Sequence, residues 1–323
     1  MYCKKILLAG LFCFTITFLS AQDTVPPLIK DTAWKASGFF GVNASQTSLS
    51  DWQGGGQNNL ALGGILNLDI IYRRDAFEQW QNKLDAQFGM LRQGDQRMLR
   101  KNLDQLFFLS KYSTRAFGKN FYWTAQGDYR TQFAPGYKYA GDSVVGRAVS
   151  DFNSPGYIQL ALGLAYKPKD YFSVSLLPVA AKVTVVNRQH LANEGAFGVP
   201  AARYDPAGNL IEEGKRIRYE TGTRLVVKFK KDIRPNINLD SYLDLFSNYF
   251  ENFGNVDVVF NNLLTMKVAK YFTVNVVSQI LYDDDVKRQR DLNNDGKYDL
   301  EGEINGPRVQ ALTTIAVGFG YKF

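Results

Sequence analysis

From Trp34 onward the chain alternates apolar and polar positions with a period of two, the repeat of a β-strand whose faces meet different surroundings. Trp34, Ala36, Gly38, Phe40, Val42 and Ala44 share one face, with Lys35, Ser37, Gly41, Asn43 and Ser45 opposite. The pattern returns over 60–72, 80–90, 121–133, 158–166, 217–229, 237–245, 256–268 and 272–282. A run at 102–115 holds Leu106, Phe107, Phe108 and Leu109 in succession, so its faces are the least distinct. In 172–185 the phase slips at Pro178, with Phe172, Val174 and Leu176 before it and Val179, Ala181, Val183 and Val185 after. Proline inside a strand is tolerated at a bulge, so one is predicted there. The last run, 308–323, sets Val309, Ala311, Thr313, Ile315, Val317, Phe319, Tyr321 and Phe323 against small or polar residues.

These runs predict twelve strands, whose connections sort by parity. Odd-to-even connections are long: SLSDWQGGGQNN, RQGDQRMLRK, 134–155, 187–214, YFENFGN and 283–307. Even-to-odd connections are a few residues each. Long loops at one end and short turns at the other are the mark of a bacterial outer-membrane barrel, and a β-sandwich has no reason to separate them. Aromatics support this. Tyr72, Trp80, Phe121, Trp123, Tyr166, Tyr171, Phe172, Phe229, Tyr271, Phe272, Tyr321 and Phe323 all fall at strand ends beside short turns, as a girdle at one membrane interface requires. The final strand resembles the C-terminal signal strand of such barrels. It is expected to pair with both the eleventh strand and the first, with Gly318 and Gly320 on a close-packed inner wall. The expected fold is therefore all-β: a transmembrane antiparallel up-and-down β-barrel of about twelve strands, with short periplasmic turns and longer extracellular loops.

Composition agrees. About one residue in seven is aromatic and glycine is plentiful, mean hydropathy is below zero, and no apolar stretch after the N-terminus reaches the length of a transmembrane helix. At the N-terminus Lys4 and Lys5, the apolar run 6–19, then Ser20 and Ala21 have the layout of a secretory signal peptide. That run is shorter than the ~20 residues of a membrane-anchoring helix. The domain reading is signal peptide 1–21, periplasmic tail 22–33 with Pro26 and Pro27, and barrel 34–323, which places the chain in the outer membrane. Both cysteines, Cys3 and Cys13, lie in the signal, so no disulfide is expected in the mature barrel. Without Lys4 and Lys5 the formal charge falls from +7 to +5, dispersed along the chain. The export signal and the lack of a basic run argue against nucleic-acid binding.

The lumen is the first candidate for chemistry. Twelve strands about 4.8 Å apart and tilted about 40° make a cylinder roughly 24 Å across, leaving about 10 Å between side chains. The predicted inner face carries Asp69, Arg73, Lys83, Asp85, Asp128, Arg130, Arg218, Glu220, Arg224, Lys228, Asp240, Asp244, Asp257 and Lys267. Two readings stand: these charges satisfy one another in a filled lumen, or Arg218, Arg224 and Lys228 face an acidic wall across a pore constriction. The loop DLNNDGKYDLEGE sets Asp291, Asn293, Asp295 and Asp299 around Gly296 in the spacing that begins a calcium loop. Its twelfth position is Gly302 rather than Glu, and a solvated turn is the alternative; no other cofactor is expected. A phospholipase-like reading needs a base beside a nucleophile, and His190, the only histidine, lies in a polar loop without an evident Ser partner, as a surface residue would. Trp52 beside Gly54, Gly55 and Gly56 is either an exposed anchor or a plug in the barrel mouth.

With Trp34, Asn43, Gln46, Ser48, Trp52, Gly54 to Gly56 and Asn59 in view, and YRTQFAPGY at 129–137, the chain resembles an uncharacterised family of Bacteroidota outer-membrane proteins, a domain of unknown function. The resemblance implies barrel architecture and location, and no activity. Two functions are expected to compete: a narrow passive channel for small solutes or ions, and a structural or accessory subunit of an outer-membrane complex with a filled lumen. Expected partners are outer-membrane lipid, the barrel-assembly machinery through the C-terminal strand, and, for the second function, an unknown outer-membrane protein.

Overall fold

The computed structural model describes residues 33–47, 58–75, 77–94, 96–269, 272–288 and 306–322. Twelve strands form one closed antiparallel barrel: β1 (Ala33–Thr47), β2 (Asn59–Arg73), β3 (Glu78–Gln93), β4 (Arg100–Arg115), β5 (Phe121–Thr131), β6 (Gly156–Lys169), β7 (Phe172–Val185), β8 (Ile217–Arg234), β9 (Ile237–Asn248), β10 (Asp257–Lys267), β11 (Phe272–Tyr282) and β12 (Gln310–Lys322). Each pairs with its neighbours in sequence, and β12 closes the ring. It pairs with β11 from Phe272 opposite Phe319 to Leu281 opposite Gln310, and with β1 from Phe39 opposite Lys322 to Asn43 opposite Gly318. At Gly318 any Cβ would meet the Val42 carbonyl oxygen at 2.3 Å, so only glycine allows β12 to approach β1 this closely.

The alternation read from the sequence is the in–out alternation of the barrel wall. Leu160, Val179, Ile315 and Phe319 on the outer face are 61–70 % exposed. In water, leaving side chains of this size exposed would forgo about 1.5–3 kcal/mol apiece. Inside lie Asp69, Lys111, Gln126, Asp128, Lys182, Glu220, Arg224 and Asp244, all buried. The molecule is apolar outside and polar inside, the inverse of a water-soluble protein. Its shortest barrel strands have 11 residues, which at about 3.3 Å per residue and a tilt of about 40° rise about 28 Å, close to the roughly 25 Å apolar band of outer-membrane barrels.

Pro178 marks a bulge, as predicted. Leu162 pairs with Val179 while Leu164 pairs with Leu176, and across the other edge Gly222 pairs with Ala180 while Arg224 pairs with Leu177. Both partners shift register there. Gly163 lies against the bulge, where a Cβ would meet the Leu176 carbonyl oxygen at 2.2 Å. The fourth strand is two residues longer than expected, and its apolar run is explained by position: Phe108 faces outward, while Phe107 and Leu109 are buried in the lumen.

Short turns gather at one end of the barrel and long connections at the other. Rings meet near the short-turn end: Trp34 stands 5.0 Å from Tyr72 and 6.1 Å from Trp80, Phe121 5.0 Å from Tyr166, Tyr171 5.9 Å from Phe229, and Phe272 5.9 Å from Phe319. Tyr271 and Phe323, expected in the same girdle, lie outside the described residues, as do Trp52, Gly54 to Gly56, Gly320 as a side-chain position, and segments 1–32 and 289–305. Of the long loops, the one after β5 folds into a hairpin, Gly136–Ala140 with Ser143–Ser150, and the one after β7 carries a short helix, Gln189–Asn193.

Candidate functional site

Inward positions of β5, β8 and β9 bring three charges together at mid-barrel. The Arg224 guanidinium, fully buried, donates from Nε to Asp244 Oδ1 at 2.7 Å, from Nη2 to Asp244 Oδ2 at 2.6 Å, from Nη1 to Asp128 Oδ2 at 2.5 Å, and from Nη2 to Tyr242 Oη at 3.0 Å. Its fork is matched to a bidentate carboxylate, with the second acid on the remaining edge. Apolar side chains pack beside it: Leu177, Val226 and Phe246 form a buried cluster with Tyr242, and Phe107 lies 6.2 Å from the Tyr242 ring.

This layer divides the lumen. Toward the long loops is a cavity of about 400 Å³ whose walls include Lys101, Asp128, Arg130, Lys182, Asp244, Asp257 and Asp283. Toward the short turns is a second, of about 420 Å³, lined by Asp69, Arg73, Lys111, Lys167, Lys228, Lys230 and Tyr242 among others. Asp128 and Asp244 face the first and Tyr242 the second, while Arg224, which binds all three, faces neither. The partition is not Arg224 alone: the inward residues Lys83, Asp85, Phe107 and Asp240 likewise line neither cavity. It corrects the expectation of a bore about 10 Å wide between side chains: long inward side chains reach the opposite wall and fill that space. Lys83 on β3 lies 3.6 Å from Asp240 on β9, and Lys230 on β8 lies 3.6 Å from Asp69 on β2; each pair joins strands half a circumference apart.

The remaining predicted lumen residues fall into separate groups. Asp85 pairs with Lys83 at 2.9 Å and accepts from Asn67 at 2.8 Å. Asp257 holds Lys182 at 2.6 Å, joined by Asp283 at 3.2 Å and Glu220 at 3.5 Å. Arg218 turns to the long-loop mouth, 2.7 Å from Glu251 and 2.8 Å from Asp285. Arg130 places its guanidinium 5.5 Å from the Phe107 ring centre. Arg73 and Lys228 line the short-turn cavity without an ion pair among the described residues. Lys267 lines neither cavity; it is exposed at the end of β10, where the turn begins, so its inward parity does not make it a lumen residue. The supposed ladder of Arg218, Arg224 and Lys228 is thus three environments: Arg218 and Arg224 pair with different acids, and Lys228 pairs with none among the described residues.

Several lumen residues escaped the sequence reading. The phase after Pro178 already sets Lys182 opposite Val179, Ala181 and Val183, yet the predicted lumen set omits it. Lys167 sits in the KPKD segment, which reads as a turn, yet β6 continues through it to Lys169. His190 is half-buried rather than a plain surface residue, its Nε2 2.8 Å from the Ala148 carbonyl oxygen. The calcium-loop residues Asp291, Asn293, Asp295 and Asp299 lie outside the described residues.

Residues 44–137, less than a third of the chain, match the model of a family described as a protein of unknown function, DUF3078. That stretch includes part of the first-hairpin motif and all of YRTQFAPGY. A comparison with curated proteins finds no match. Among solved structures, an outer membrane channel from Pseudomonas putida F1 is similar at 12% identity and a TM-score of 0.36, over 89% of this chain and 95% of that one. The translocator domain of the autotransporter NalP from Neisseria meningitidis is similar at 9% identity and a TM-score of 0.32, over 90% and 87%. The TodX monoaromatic hydrocarbon channel, in a deltaS2 mutant, gives 8% identity and a TM-score of 0.30, over 90% and 89%.

Proposed function

We propose that this chain is an integral outer-membrane β-barrel, exported through segment 1–21, and that it forms a narrow passive channel for small solutes or ions, closed in this conformation by the Arg224 layer. The observation that carries the reading is the divided lumen: two cavities with charged linings, one toward each end of a barrel with an apolar exterior, separated by a layer of side chains that includes the Arg224 guanidinium. On this reading, opening is a rearrangement of lumen side chains, without rebuilding the wall. On this reading lipid contacts the outer face, β12 engages the barrel-assembly machinery, nucleic acid is no ligand, and the chain has no enzymatic role. The similarity over 44–137 extends, in this proposal, to membership of a Bacteroidota outer-membrane family along the whole barrel. Calcium in the 291–299 loop stays a separate proposal, tested by calorimetry with calcium on the refolded protein.

A second reading, a structural or accessory subunit with a filled lumen, is favoured by the contacts of Lys83 with Asp240 and Lys230 with Asp69 across the barrel. Planar-bilayer recording separates the two. The wild type should give small, brief openings, and a triple Asp128→Ser, Arg224→Ser, Asp244→Ser variant, which removes the Arg224 cluster, should give a larger steady level. Silence from both would sink the channel reading in favour of the filled one, which co-purification of a partner after mild detergent extraction then tests.

A further inference from the structure

Four alternate strands send cations toward the cavity at the short-turn end, among them Arg73 from β2, Lys111 from β4, Lys167 from β6 and Lys228 from β8, with Lys169 and Lys230 further along β6 and β8. None of those first four forms an ion pair among the described residues. Lys111 donates to the neutral Ser175 Oγ at 3.0 Å, and Lys167 rests 5.1 Å from the Tyr122 ring centre. Lys111 is repelled by Lys167 and Lys228, and Lys167 by Lys228 and Arg73. Bringing like charges together out of bulk water is unfavourable unless an opposite charge joins them.

The carboxylates nearby do not fill that role. Asp69 already holds Lys230 and accepts from Gln81 Nε2 at 2.8 Å. Asp240 is shared between Lys83 and Lys230, each at 3.6 Å. Asp75 accepts the backbone N–H groups of Phe77 and Glu78, while Glu78 is engaged by Arg74 at 3.3 Å and the Tyr112 hydroxyl at 2.7 Å. Asp69 and Asp240 attract Lys228, and Asp170 attracts Lys167, but neither lysine forms an ion pair with them. Positive charge is left over, directed into a space of about 420 Å³, within the roughly 300–1,000 Å³ of ordinary small-molecule sites.

We propose that the short-turn cavity is a binding site for a small oxyanion, a phosphate or a carboxylate-bearing solute, held by Lys111, Lys167 and Lys228 with Arg73 at its rim. The site gives the substrate class of the proposed channel and in that sense rests on that reading, but binding in detergent solution needs no current, so either can fail alone. Charge-assisted hydrogen bonds from two or three ammonium groups are the strong kind, and they weaken with salt to the degree that the cavity is wet.

The test is calorimetric titration of inorganic phosphate, and separately of citrate, into the refolded full chain at low ionic strength, with chloride at matched ionic strength as reference. Saturable binding of phosphate, citrate or both is expected; it should weaken by about tenfold or more in Lys167→Gln/Lys228→Gln and be unchanged in Lys138→Gln, an exposed lysine of the long-loop hairpin. Phosphate alone, citrate alone or both binding identifies which oxyanion the site accepts. Neither binding, or equal weakening by Lys138→Gln, overturns the proposal. Should the double variant not fold, the wild-type unfolding temperature decides: a rise with either oxyanion above that in matched chloride supports the site, and no rise with either overturns it.

Discussion

Arg224 shows how much a single inward residue can carry. Its side chain has no solvent contact, and its charge is tolerable only because Asp128 and Asp244 supply hydrogen-bonded carboxylates at 2.5–2.7 Å. The desolvation of such a cluster is repaid only while all its members are present. Arg224→Leu should therefore destabilise the folded barrel by about 3–5 kcal/mol, since two buried carboxylates are left facing one another; urea unfolding in detergent, followed by tryptophan fluorescence, measures it. Adding Asp128→Asn and Asp244→Asn should restore most of the loss. That Arg224 faces inward was legible from the period-two pattern. That it divides two cavities was not, because Asp128 lies 96 positions away and alternation specifies a face, not a partner.

Strand β7 makes the corresponding case for an element. The bulge at Pro178 lets outward residues run from Leu176 to Val179 without losing phase on the lower or the upper half. Inserting one alanine between Ala180 and Ala181 should turn the residues after it over and send Lys182 from its acids toward the apolar exterior, whereas deleting Pro178 only removes the extra residue and leaves Lys182 inward. The insertion variant should lose heat-modifiable migration on a semi-native gel at a lower temperature than wild type, whereas Pro178→Ala should keep it. The bulge could be read from the sequence because proline and the phase slip coincide. The inward pair Phe107 and Leu109 in β4 could not, since a run of four apolar residues carries no phase. Their faces follow from Lys111 and Ser113 on the same strand only once the lumen is known to hold an apolar patch.

For the whole molecule, the governing fact is an apolar exterior around a polar interior, which is stable only in an apolar solvent. Leu160, opposite Gly127 near the middle of β5 and 61 % exposed, should face hydrocarbon. Leu160→Arg is expected to lower the stability of the lipid-refolded barrel by about 2–4 kcal/mol, and no comparable loss is expected for Lys138→Glu in the loop hairpin. Unfolding by guanidinium from lipid vesicles compares the two, and equal effects would count against the membrane-spanning orientation.

A strand number of about twelve, the order of long and short connections, the inward phase outside the fourth strand and the bulge were legible in the sequence alone, because each follows from local alternation, turn length or a residue's own steric limits. Pairing between distant inward charges was decided only by closure. Once β12 meets β1, strands far apart in sequence face one another across roughly 24 Å of backbone, and side chains such as Lys83, Lys230 and Arg224 are long enough to meet acids on other strands. Whether the cylinder is open, divided or filled depends on those meetings, and a one-dimensional pattern contains no distances across a lumen.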